Sequence, residues 1–106
     1  MIHNDEATLV TLVANESQVT REETTVFCGR KSISYKEFYA AVQVGLTPQY
    51  IFEFDIDEFE SAIVTTGIAP NEVKHYPTEL KYHGVKFNII RTYEKTDGLI
   101  EVTVGL

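Results

Sequence analysis

One hundred and six residues suffice for one domain, spanning 1–106, and leave no room for a second core. Hydrophobic residues make up 43% and charged residues 24%, the balance of an ordinary folded domain. The formal net charge of −7, from sixteen carboxylates against nine Lys and Arg, counts against a protein that tracks phosphates, because such a protein needs a cationic face.

In chain order, Ala7 to Asn15 reads as a strand, with Leu9, Val10, Leu12 and Val13 set among threonines that favour extended backbone. Apolar residues fall on both of its faces, so it is expected to be buried on both sides or covered by a partner. Glu16 to Glu23 is polar and aperiodic and is expected to form a loop, and Thr24 to Lys31 a second strand. Ser34 and Glu37 then make an S-x-x-E capping box, with Ile33 and Phe38 at the positions of a hydrophobic staple. Tyr35, Phe38, Tyr39 and Val42 follow the spacing of one helical face. Gly45 supplies a left-handed exit and Pro48 prevents continuation, which predicts a short helix from about Tyr35 to Val44.

From Gln49 to Ile56 the period changes to two. Tyr50, Phe52, Phe54 and Ile56 share one face, and Gln49, Glu53 and Asp55 share the other. Residues 57–79 carry Asp57, Glu58, Glu60, Gly67, Pro70, Asn71 and Pro77, with only Ala62 to Thr66 strand-like. They are expected to form a long irregular loop, mobile in the free chain, since loops of this length are usually functional or disordered. Its acidic run, Asp55, Asp57, Glu58 and Glu60, reads by itself as a solvated acidic loop, and only within an assembly as one that faces a channel or a partner.

Leu80 to Tyr82, a turn at His83-Gly84, and a strand from Val85 to Tyr93 follow, with Val85, Phe87, Ile89, Arg91 and Tyr93 on one face. Asp97-Gly98 is a hairpin signal, and Ile100, Val102 and Val104 mark the last strand. A two-residue turn there pairs Tyr93 with Val102, Arg91 with Val104 and Glu94 with Glu101. The sum is a mainly β fold, a small antiparallel β-barrel or sandwich of five to seven short strands with one short α-helix.

Motifs for chemistry are missing. None of the six glycines belongs to a phosphate loop. His3, His75 and His83 stand apart, with no partner at metal-ligand spacing. No serine sits in a nucleophile elbow, and the acidic run lacks the order of a calcium loop. Cys28, in the apolar run Val26-Phe27-Cys28, reads as a buried inert thiol. The acidic N-terminus has no apolar core and no window is long enough to span a membrane, so folding in a reducing cytosol is expected, without enzymatic activity, metal or cofactor.

Three pieces in order resemble the head–tail joining (head-closure) family of long-tailed phages and prophages. They are Arg21-Glu22-Glu23 with Val26-Phe27-Cys28, then Ser32-Ile33-Ser34 running into Glu37-Phe38-Tyr39, Ala41 and Gly45-Leu46-Thr47-Pro48, and finally Tyr82-His83-Gly84-Val85-Lys86-Phe87 with Ile89-Ile90-Arg91-Thr92-Tyr93 and Leu99-Ile100-Glu101-Val102. The resemblance covers about Thr20 to Val104 and departs from the family pattern between Asp57 and Glu79. It implies a small β-barrel that assembles as a dodecameric ring beneath the portal and its adaptor, in the virion neck after assembly in the host cytoplasm. Such a ring closes the DNA-filled head and receives the tail terminator, with DNA passing only non-specifically and no membrane involved. Tyr35, Phe38, Tyr39 and Val42 then become candidate subunit or partner contacts, with packing on their own barrel as the alternative. Rival readings are a tail-completion or terminator subunit of the same neck, and a small barrel module that binds a peptide or nucleic acid.

Overall fold

Alternation of apolar and polar residues makes a strand with one wet and one dry face, and six such strands can dispose of their edges by closing on themselves. A computed structural model of the chain, which describes residues 3–15, 17–31, 45 and 47–106, has this architecture. Strands β1 (Asp5–Asn15), β2 (Gln18–Lys31), β3 (Pro48–Asp55), β6 (Glu79–Tyr82), β7 (Val85–Glu94) and β8 (Leu99–Gly105) form a closed antiparallel barrel in the order β1-β2-β3-β8-β7-β6. Pairing of Leu9 with Leu80 joins β1 to β6 and closes the ring. The helix expected over Tyr35 to Val44, with Tyr35, Phe38, Tyr39 and Val42, lies outside the described residues.

The barrel is filled by the dry faces. Leu9, Cys28, Phe52, Phe54, Leu80, Val102 and Val104 are fully buried. The β3 face does what its period predicts: Phe52 meets Tyr82 edge-on at 4.9 Å between centroids, and Tyr50 meets Phe87 at 5.5 Å. Burying each such ring contributes about 2–3 kcal/mol before chain entropy is set against it.

Residues 57–79 are not an irregular loop. Ile56 leaves β3 and opens a five-residue helix, α1 (Ile56–Glu60), followed by the hairpin strands β4 (Val64–Thr66) and β5 (Val73–His75). Phe59 is the reason. It is buried and packs against Phe54 at 6.4 Å, so α1 is pinned across the barrel end where β3 finishes. Ala62 is also buried, and its carbonyl accepts a 2.6 Å hydrogen bond from the Thr11 hydroxyl of β1.

Two further expectations change. Glu16 to Glu23 is not a loop, because β2 begins at Gln18 and pairs with β1 as far as Gln18 opposite Asn15. The β7–β8 connection runs from Lys95 to Gly98, and the Lys95 N–H donates to the Leu99 carbonyl around Thr96, Asp97 and Gly98, with Gly98 at φ 80°. This moves the register, so that Tyr93 faces Glu101, Arg91 faces Thr103 and Glu94 faces Ile100, and an irregularity at Ile90 then sets Ile89 opposite Val104. Tyr93 and Arg91 are exposed as a result. The tight turn at His83-Gly84 is present, with φ at 49° and 79°.

Candidate functional site

Antiparallel order gives the barrel two distinct ends. One end collects the start of β1, the end of β2, the start of β3 and the β6–β7 turn. There the Arg30 guanidinium lies over two rings, 5.0 Å from the Tyr50 centroid and 5.6 Å from that of Tyr82. Tyr82 stacks on His83 at 4.0 Å, and its hydroxyl donates a 2.5 Å hydrogen bond to Asp5. That bond holds the Asp5 carboxyl below its ordinary value and pushes the Tyr82 phenol up. Cys28 sits beneath this end, and burial, with the nearby Asp5 charge adding, pushes its thiol up to about 12. A thiol so held is protonated at neutral pH and is a poor nucleophile.

The opposite end carries α1, the β4–β5 hairpin and the β7–β8 turn. Three of the four acidic candidates stand on α1: Asp57 and Glu60 are exposed and Glu58 is half-buried, while Asp55 is exposed at the helix entrance. The Asp55 side chain makes no capping hydrogen bond, so charge and solvation keep this run at the surface. Glu60, Glu94 and Lys74 rim an open cavity of about 370 Å³ whose floor is Ile56, Phe59 and Ile63. The structure thus places Asp57, Glu58 and Glu60 together on a helix, where an irregular loop was expected. Among the described residues no three His, Cys, Asp or Glu side chains are grouped to hold a metal ion, and no helix is long and apolar enough to cross a membrane.

On the outer wall, β3 and β8 set Glu53 opposite Glu101. Two like charges facing each other across strands destabilise a sheet unless cations intervene. Lys31 pairs with Glu101, Lys95 donates to Glu53 at 3.1 Å, and His3 lies 2.9 Å from Glu53. Glu53 is only 4% exposed. Burial alone would raise its carboxyl, but the hydrogen bonds from His3 and Lys95 outweigh it and leave Glu53 below its ordinary value. The same bond raises Lys95.

A third region was not singled out by sequence. From Leu12 to Asn15 and from Gln18 to Thr25, β1 and β2 pair with each other, whereas β6 reaches β1 only at Thr8 to Val10 and β3 reaches β2 only at Gly29 to Lys31. The two strands therefore leave the barrel as a ribbon. The doubly apolar pattern of β1 was its one legible signal. Leu9 and Val10 are buried, as one of the two alternatives held, but Leu12 and Val13 are only partly covered and Val19 opposite Ala14 is 64% exposed. Arg21 reaches Glu79 at 2.9 Å and Lys81 reaches Glu23 at 2.8 Å, so two ion pairs span β1 on its outer face and tie the ribbon's base to β6.

The fold and its surfaces define a small closed antiparallel β-barrel with an acidic end, a cation–aromatic end and a projecting ribbon. In comparisons with known proteins, no family model and no curated protein matches the chain.

Proposed function

We propose that this chain is a structural subunit of a tailed-phage or prophage neck, whose copies form a ring that closes the filled head and joins it to the tail. The observation that carries the reading is the closed barrel, to which the first and third of the pieces behind the resemblance contribute strands, while most of the second, Ser32 to Leu46, lies outside the described residues. Val26-Phe27-Cys28 lies in β2, Tyr82 to Phe87 is the β6–β7 hairpin, and Ile89 to Tyr93 and Leu99 to Val102 lie in β7 and β8. The net charge of −7 and the acidic run on α1 also suit a channel wall to which DNA does not adhere. In this reading the partners are further copies of the chain, the portal and adaptor on the head side, and the tail terminator below.

The test is co-sedimentation of the purified protein with portal–adaptor complexes and, separately, with tail tubes. Binding to portal–adaptor complexes is the expected result. Binding to tail tubes alone moves the protein to the tail-completion role, and binding to neither overturns the neck reading.

A further inference from the structure

The barrel closes on itself through β1 and β6, but the ribbon that leaves it has two open edges. Among the described residues, no strand pairs with β1 beyond Val10 or with β2 before Gly29 on the sides away from each other. Which backbone groups point outward follows from one bond. The Val10 carbonyl accepts from the Thr78 N–H, so it points away from β2. In an antiparallel pair this alternates along the strand, and directly opposed residues behave alike. Leu12 and Ala14 on β1 therefore present their N–H and C=O outward, as do their partners Arg21 and Val19 on β2. Side chains of these four residues share the outer face, where Val19 is 64% exposed. Neither Pro nor Lys, the residues that commonly blunt an edge, occurs between Thr11 and Thr25.

We infer that the ribbon is an assembly arm, and that its occupant is a second copy of this chain. The outward edge of β1 in one copy adds antiparallel to the outward edge of β2 in the next. The inference rests on the reading of the chain as a ring subunit. Charge selects this head-to-tail pairing. The β1 edge from Thr11 to Asn15 carries no charged residue, so it lies against Gln18 to Glu22 of a neighbour, which holds two of the three charges of the Arg21-Glu22-Glu23 run, without any like-charge pair. Face-matched pairing of β2 with β2, centred on that run, instead opposes Arg21, Glu22 or Glu23 to its own copy. Continuing the ladder in the register of the ribbon itself sets Ala14 against the neighbour's Val19, and Leu12 beneath the aliphatic stem of its Arg21. Copies related by rotation about an axis along the ribbon repeat the contact, and such a heterologous contact can close into a ring.

Proline at an outward position removes one edge donor and leaves the ribbon's own bonds intact. Ala14→Pro blocks the β1 edge, and Val19→Pro blocks the β2 edge. Sedimentation velocity and native mass spectrometry up to about millimolar protein, a concentration at which even weak strand pairing populates, read the result. The wild type is expected to form oligomers, each variant alone to stay monomeric, and their mixture to give one-to-one pairs that grow no further. Association of Ala14→Pro alone, a mixture that stays monomeric, or a wild type that is monomeric throughout overturns the inference. Oligomers unchanged in both variants overturn the arm while leaving the ring reading standing, since portal–adaptor binding is measured separately. Where a proline variant loses the barrel's near-ultraviolet circular dichroism, Ala14→Lys and Val19→Lys replace it, with the same expected outcomes.

Discussion

Strands β1 and β2 run through two environments, and the contrast between them explains most of this molecule. Inside the barrel wall, Ala7, Leu9, Val26 and Cys28 line a dry interior, with β6 paired to β1 at Thr8 to Val10 and β3 paired to β2 at Gly29 to Lys31. A few residues further on, no third strand pairs with either of them among the described residues, and Ala14 and Gln18 to Glu23 are exposed. Extended backbone is the same in both places, yet in the wall burial maintains it and in the ribbon backbone pairing does. A two-stranded ribbon is marginal in water by itself. The Thr11 hydroxyl bond to Ala62 and the Arg21–Glu79 and Lys81–Glu23 pairs anchor its base, and its outer part is the place where a neighbour adds stability.

The comparison is broken most directly by emptying the wall. Phe52 is fully buried and touches Tyr50, Phe54 and Tyr82, so Phe52→Ala is expected to lose about 3–5 kcal/mol, read from urea unfolding midpoints at unchanged m-value. A loss below about 1 kcal/mol would show that the barrel interior is not the core.

A sharper form uses one residue type on one strand. Leu9 is fully buried and Leu12 is half-exposed. Leu9→Ala should cost about 2–5 kcal/mol and Leu12→Ala about 1 kcal/mol or less in the monomer. Equal losses would mean that the ribbon is as much a part of the folded core as the wall.

The outer wall gives a pH signature. Glu53 has a folded value below its ordinary one, so the unfolded chain binds that proton more readily. Its contribution is present at neutral pH, above the unfolded carboxylate value, and is lost as pH falls through the folded value. Glu53→Gln is therefore expected to be less stable than wild type by about 1 kcal/mol near pH 7, with the two converging in acid. A gap that is constant from pH 7 to pH 3 would show that the loss is one of packing rather than charge.

Smallest in stability terms is the thiol. With a value of about 12, Cys28 in the folded barrel is expected to resist thiol reagents at pH 8, and to react at the rate of an ordinary cysteine once the chain is unfolded in denaturant. Rapid labelling of the native protein would show that the wall opens near β2.

Much of the wall was legible because alternation has a single reading when one face is dry. Phe52 and Phe54, the His83-Gly84 turn and the run Ile100, Val102, Val104 all fall where their period puts them. The ribbon half of β2 was not, since Gln18 to Glu23 has no apolar period and is held by backbone bonds, which any side chain permits. Nor was the single added residue in the β7–β8 turn, which moved Tyr93 from opposite Val102 to opposite Glu101. The acidic run was legible as a cluster, but its order was not, because Phe59 and Ala62 bind it to the barrel through contacts with Phe54 and Thr11.

Sequence by itself determined the strand-rich antiparallel class, the tight His83-Gly84 turn, the place of the Gly98 turn and the aromatic dry face of β3. Each of these follows from spacing within a few neighbouring residues. Tertiary structure alone decided that the sheet closes through Leu9 and Leu80, that residues 57–79 become a helix and a hairpin, and that Glu53 can face Glu101 on the wall. These depend on partners that meet only after the chain has folded: β1 with β6, α1 with the barrel end, and Lys31, Lys95 and His3 gathering around two carboxylates from different strands. Local spacing carries no information about such meetings, whereas burial and charge balance in the closed barrel fix them.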